Sequence, residues 1–287
     1  VLDRRRAIRH PIRGPEGAAR AHAFGRSVTR IAPVAAVLAA SLLLASCGGG
    51  GGGGGSGKPP QGPPSARHPS SDLAAELAGE EMRVHLLVAA RLYNNGRFQF
   101  AAAHMATAKR QYDTITAAVR RRDGELDREF HAAFGVIDGQ ITQRAPALAV
   151  TTRMGLMQGQ LLDAAIRDSV GKAAFNDPGV DALVMSRLVA QGAREYALAV
   201  SQGGFSDAGK RAYQDAFGAI TRASSISHNI SGFLGPQRNA IINGLNDAHN
   251  KGFPTGVLVP RKLDPAGVAA GVQRAQAAVS KRFGFST

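Results

Sequence analysis

Residues 73–108 read LAAELAGEEMRVHLLVAARLYNNGRFQFAAAHMATA, and this stretch decides the fold. Leu73, Leu77, Val84, Val88 and Leu92 recur at the spacing that puts apolar side chains on one face of a helix, which predicts a helix over 73–93. Asn94-Asn95-Gly96 stops it, because Gly and Asn accept the left-handed backbone that closes a helix. Phe98, Ala101, Met105, Ala108, Tyr112 and Ile115 then repeat the helical spacing, so a second helix is expected over 98–121. Two long helices joined by so short a link must run antiparallel and pack on one another.

The same pattern continues to the end of the chain. Asp123-Gly124 breaks the second helix, and a third is expected over 125–143. Pro146 restarts a fourth, which runs to about residue 169. Asn176-Asp177-Pro178-Gly179 reads as a turn before a fifth helix over 180–201. Gly203-Gly204 ends that helix, and Ser206 or Asp207 caps a sixth over 207–228. Gly232 to Pro236 interrupts again. A shorter helix is expected over 237–250, and Pro265 suits the first turn of a last one reaching residue 282. Alternation of the strand type is scarce. The expected architecture is an all-α bundle of six to eight helices, beginning at Asp72 as the first N-cap. The composition agrees: there is no Trp, and there are 12 Phe and 4 Tyr. Small residues are plentiful, as closely approaching helices require.

The first hairpin also has a recognisable packing set. Val88, Ala89, Leu92, Gly96, Phe98, Ala101, Met105 and Ala108 stand where a tetratricopeptide-type hairpin places its contacts. No second copy follows at the repeat distance, so the resemblance implies TPR-like packing of one hairpin and not an array.

Ahead of the helices the chain changes character. Arg4, Arg5, Arg6, Arg9, Arg13, Arg20, Arg26 and Arg30 precede an apolar stretch, Ile31 to Ala45, which leads to Leu44-Ala45-Ser46-Cys47 and an unbroken Gly48–Gly55 run. The apolar stretch is shorter than the ~20 residues a spanning helix needs and contains Pro33, so it reads as a signal core. The tetrapeptide in this setting resembles the cleavage box of a bacterial lipoprotein. That resemblance implies removal of residues 1–46 and acylation of Cys47, the single cysteine. Residues 47–71 are then a Gly/Pro-rich tether, and residues 72–287 the helical domain. The absence of an aspartate after Cys47 implies the outer membrane over the inner one.

Cleavage would also change the charge. The chain carries 35 Lys and Arg against 21 Asp and Glu, a formal +14. Losing the eight leader arginines with Asp3 and Glu16 leaves 27 basic and 19 acidic residues, or +8. Nucleic acid is not the expected partner, since export separates the protein from it and no basic-aromatic motif is present. With Cys47 committed to lipid, no internal disulfide or Cys-x-x-Cys site can form. No nucleophile elbow, phosphate loop or dinucleotide fingerprint occurs, so no enzyme is expected.

One constellation points to chemistry. Glu81 and His85 are four apart on the first helix. The hairpin turn brings His85 and His104 to one level. A carboxylate and two imidazoles suit a divalent metal, and His131 on the third helix offers a further ligand. Met154 and Met157 form a thioether pair of the type that selects Cu(I). Glu125, Asp127 and Glu129, interleaved with Arg128, read as a solvated helix face.

Ala193-Arg194-Glu195-Tyr196 and Tyr213-Gln214-Asp215-Ala216-Phe217-Gly218 are similar to a pattern in uncharacterised exported helical proteins and in the extracytoplasmic helical region before some bacterial iron permeases. Leu92-Tyr93…Gly96 and Ala101-Ala102-Ala103-His104 fit the same picture. No metal ligand is carried over from that resemblance; Tyr213 and Phe217 are expected to pack a helix seam with Glu195 and Asp215 at its polar edge. The first functional expectation is a lipid-anchored, non-catalytic envelope protein that binds a protein partner. The alternative is an extracytoplasmic metal-handling accessory for iron or copper, and the third is an envelope enzyme.

Overall fold

In the computed structural model, residues 67–284 are described, and they form helices and turns with no strand among them. The expected signal segment 1–46, Cys47 and the tether up to residue 66 lie outside the described residues. The helices are α1 (Ser70–Asn94), α2 (Phe98–Arg122), α3 (Gly124–Thr142), α4 (Ala147–Leu156), α5 (Leu162–Val170), α6 (Lys172–Phe175), α7 (Pro178–Ser201), α8 (Asp207–Asn229), α9 (Arg238–Gly252) and α10 (Pro265–Phe283). α4 and α5 are one helix interrupted by a π-turn, Met157–Leu161, and α6 is a single turn. Among the described residues eight long helices therefore make up the bundle, as the apolar spacing predicts.

Local chemistry sets most helix ends. Asp123 accepts from the backbone N–H groups of Glu125 and Leu126 and so caps α3. Asp177, Ser206 and Asp264 do the same for α7, α8 and α10. Each cap satisfies donors that a helix leaves orphaned at its start. Gly96, at φ 68°, closes the α1–α2 hairpin where a side chain would be strained. Asp72 is not the N-cap of α1. The helix begins earlier, with Pro69 at the cap and Asp72 in its first turn. The fold also reaches back past Asp72, because Arg67 and His68 both bond Asp177, at 2.7 Å and 2.8 Å.

One continuous core runs through the bundle. Val88, Ala89, Leu92, Ala101, Met105 and Ala108, the hairpin contacts, are all buried. All four tyrosines are buried, and each hydroxyl finds a partner: Tyr93 with the Ala145 carbonyl, Tyr112 with Asp127, Tyr196 with the Asp264 N–H, and Tyr213 with the Gly256 carbonyl. Tyr213 and Phe217 pack with Tyr196 and Phe253, as a helix seam requires. Met154 and Met157 lie in the core, at 0% and 1% exposure, which removes the thioether pair from any solvent-accessible copper site.

Two antiparallel hairpins, α1–α2 and α7–α8, pack against each other along α1 and α8. Gly218 makes that approach possible: a Cβ there would lie 2.6 Å from Val88 Cγ2 and 2.7 Å from Val84 Cγ1. Among the described residues, no helix is long and apolar enough to cross a membrane.

Candidate metal centre

The hairpin geometry brings His85 of α1 and His104 of α2 together, as their equal distance from the turn predicts. Their Nδ1 atoms are 3.1 Å apart. Packing of α8 on α1 then adds a carboxylate. Asp215 Oδ1 lies 3.4 Å from His85 Nδ1 and 3.5 Å from His104 Nδ1. An ion held at ~2.1 Å by three donors in tetrahedral or facial octahedral geometry separates those donors by about 3.0–3.4 Å. The three atoms therefore form a triangle of the size one first-row ion needs. Among the described residues this is the one such set of His, Cys, Asp and Glu side chains.

The environment prepares the donors. His85 and His104 are 6% and 4% exposed. Burial, with His104 and Arg110 nearby, pushes His85 down to about 3. Burial pushes His104 down to about 4, although its bond to Gln214 pulls the other way. Both imidazoles are thus neutral at pH 7 and keep lone pairs. Burial, with Glu195 nearby, raises Asp215 to about 7. Asp215 Oδ1 is buried without a hydrogen-bond partner, a costly state for a carboxyl oxygen. A cation would relieve it, with release of the proton that Asp215 otherwise holds.

Gln214 selects the tautomer. His104 Nε2 is 3.1 Å from Gln214 Oε1, and an amide oxygen can only accept. The hydrogen therefore sits on Nε2, and Nδ1 keeps the lone pair that accepts from His85 Nδ1–H in the metal-free protein and would be offered to an ion. Fixing a ligating imidazole through its other nitrogen is how metal sites orient their histidines.

Glu81 is not the carboxylate of this set. Although it lies one turn from His85 on α1, Glu81 brings no carboxylate oxygen within reach of the two imidazoles. It is half-buried, and its charged neighbour is Arg194 of α7. His131 does not join either. It lies 3.5 Å from Asp127, which also accepts from Tyr112, Thr116 and Arg120. Asp127 itself is buried, not on a solvated face, because those donors satisfy it. A surface depression between α2 and α3 is lined by Arg120, Gly124, Asp127, Arg128 and His131, but these side chains are committed to that local network or exposed.

Sequence reasoning missed Asp215 and Gln214 as site residues. Gln214 is 110 residues from His104, so no local spacing connects them. The usable signal was an acid and an amide set between Tyr213 and Ala216, two residues of a buried seam. No protein-family model, curated protein or solved structure matches this chain. The site therefore rests on its own geometry.

Proposed function

We propose that the protein is a lipid-anchored component of the bacterial envelope whose helical domain binds one divalent first-row transition-metal ion through His85, His104 and Asp215. The observation that carries this reading is the triangle of donor atoms, with sides of 3.1, 3.4 and 3.5 Å. The donors are two imidazoles and one carboxylate, which favour Fe(II), Mn(II) or Zn(II) over Cu(I), since no sulfur ligand is present. Handling of the ion is the role that this donor set supports.

The anchoring part of the proposal rests on Leu44-Ala45-Ser46-Cys47 and its flanks. A fatty-acid probe should label the wild-type protein in its own cells and not Cys47→Ala; equal labelling refutes the anchor. The metal part is tested by titrating the purified full chain with Fe(II), Zn(II) and Mn(II), with elemental analysis of the product. One ion per chain is expected, lost in a His104→Ala/Asp215→Ala double variant that keeps its helical circular dichroism. Unchanged binding by that variant refutes the site.

A further inference from the structure

Three ligands leave a first-row ion short of a full protein shell, so the fourth position is the informative one. Asp215 is the open side of the triangle, its side chain 26% exposed against 8% and 4% for the two histidines. Whatever completes the shell must approach there, in the groove where α7 and α8 face α1.

The α7–α8 register says which residue that is. A Cβ on Gly192 of α7 would lie 3.4 Å from the Ala216 carbonyl oxygen of α8, and the Tyr196 and Tyr213 rings are 6.1 Å apart. Residue 195 is therefore level with residues 213 and 214, within two residues of Asp215. The helix faces agree. Arg222 of α8 bonds Glu80 of α1, and Asp181 of α7 is close enough for the charge of Glu80 to act on it, so the two mark the same groove. Glu195 follows Asp181 by fourteen residues, within about 40° of four full turns, and Asp215 precedes Arg222 by seven, about 20° from two turns. Glu195 and Asp215 thus look into one groove within two residues of the same level, close enough for the charge of Glu195 to act on Asp215. Glu195 is half-buried beside Arg194, and its carboxylate, outside the triangle in the metal-free arrangement, would turn towards Asp215 to reach an ion.

We propose that Glu195 is the fourth ligand, so that one ion is held by one side chain from each of α1, α2, α7 and α8. This rests on the reading of His85, His104 and Asp215 as a metal site. Carboxylates and imidazoles converging from facing helices are how bundles build metal centres in general. The consequence here is specific: the ion ties the α1–α2 hairpin to the α7–α8 hairpin, and the finished donor set is two nitrogens and two carboxylates. That set suits Fe(II), Mn(II) and Zn(II), and it neutralises a divalent charge without an added anion.

The test uses Co(II) as a spectroscopic probe on the full chain, followed by competition with Zn(II). The wild type should bind one Co(II) and show a visible band. Glu195→Gln should weaken binding by about 10- to 100-fold and shift the band, because a first-shell oxygen is replaced. Glu195→Asp should give a shifted band with intermediate affinity, and serves if the glutamine variant misfolds. Glu81→Gln, one turn from His85 beside Arg194, should behave as the wild type. If Glu195→Gln and Glu195→Asp keep the wild-type affinity and band while Asp215→Asn loses Co(II), the three-ligand site stands and the proposal fails. Weakened binding with an unshifted band also overturns it, since Glu195 would then act only through its charge. If the wild type binds no Co(II) or Zn(II), the underlying site falls and the fourth ligand with it.

Discussion

Gln214 and His104 meet across the α2–α8 seam, amide oxygen to Nε2, at 3.1 Å, with both side chains buried. The contact holds a proton on the nitrogen that faces away from His85. Gln214→Leu keeps the bulk and removes the acceptor. Metal affinity is expected to fall about 10- to 100-fold. The metal-free protein should lose about 1–3 kcal/mol, because His104 Nε2–H is left unsatisfied. Urea unfolding and Zn(II) competition measure the two effects separately.

The α1–α8 crossing depends on the missing side chain of Gly218. Gly218→Ala puts a Cβ 2.6 Å from Val88 and 2.7 Å from Val84, with the Val84 carbonyl oxygen at 3.3 Å. Overpacking of this kind costs about 1–3 kcal/mol. Gly155 of α4 provides the contrast, since a Cβ there meets nothing within 4 Å. Gly155→Ala should stabilise by about 0.5–1 kcal/mol. Urea midpoints that move the two variants in the same direction would contradict this account of the packing.

Glu80 is buried between two guanidiniums. It accepts from Arg83 at 3.3 Å and from both Nε and Nη2 of Arg222, the latter at 2.9 Å. Burial works against its charge, yet the two arginines hold it down to about 2. Arg222→Leu strips one partner and leaves a partly compensated buried carboxylate. A loss on the order of 3 kcal/mol is expected. Adding Glu80→Gln should restore part of that loss, as a double-mutant cycle would record.

Two sets of buried groups give the metal-free protein opposite pH slopes. His85 and His104, lowered to about 3 and 4, bind fewer protons folded than unfolded, where the value is 6.5. Their contribution is complete above pH 6.5 and is lost as pH falls towards 4. Asp181 is raised from 3.8 to about 7 by burial, with Glu80 nearby. It keeps a proton that the unfolded chain gives up, so its contribution is present below pH 4 and is lost as pH rises through 7. Asp181→Asn should therefore remove a contribution that declines between about pH 4 and 7, leaving the share that Asp215, also raised to about 7, contributes over the same range. Urea midpoints across pH 4–8 check both arms.

Most of the fold could be read from local rules, because helix ends in this chain are set by short-range chemistry. Asp123, Asp177 and Ser206 cap where their side chains can reach N–H groups two or three residues on. The π-turn at Met157–Leu161 could not be read that way. Its Gln158 carbonyl bonds Arg83 of α1, a residue distant in sequence, and Gln158 Nε2 returns a bond to the Arg83 carbonyl at 3.3 Å. The metal centre divides along the same line. His85 and His104 share a hairpin, so counting from the turn paired them. Asp215 and Gln214 arrive only when α8 packs on α1 over Gly218, an event with no signature in residue spacing. Glu81 was the nearest acid in sequence, but its charged neighbour is Arg194 and its carboxylate stays outside the donor set.

The contact of Arg67 and His68 with Asp177 bears on mechanics. These two residues precede α1, and they grip the cap of α7 instead of lying free beside α1. Tension arriving along the chain from the Cys47 side would be borne first by that carboxylate, at the N-terminal end of the helix that carries Glu195. The load would be shared between α1 and α7, which resists unzipping of the first hairpin under a pull from its N-terminal side.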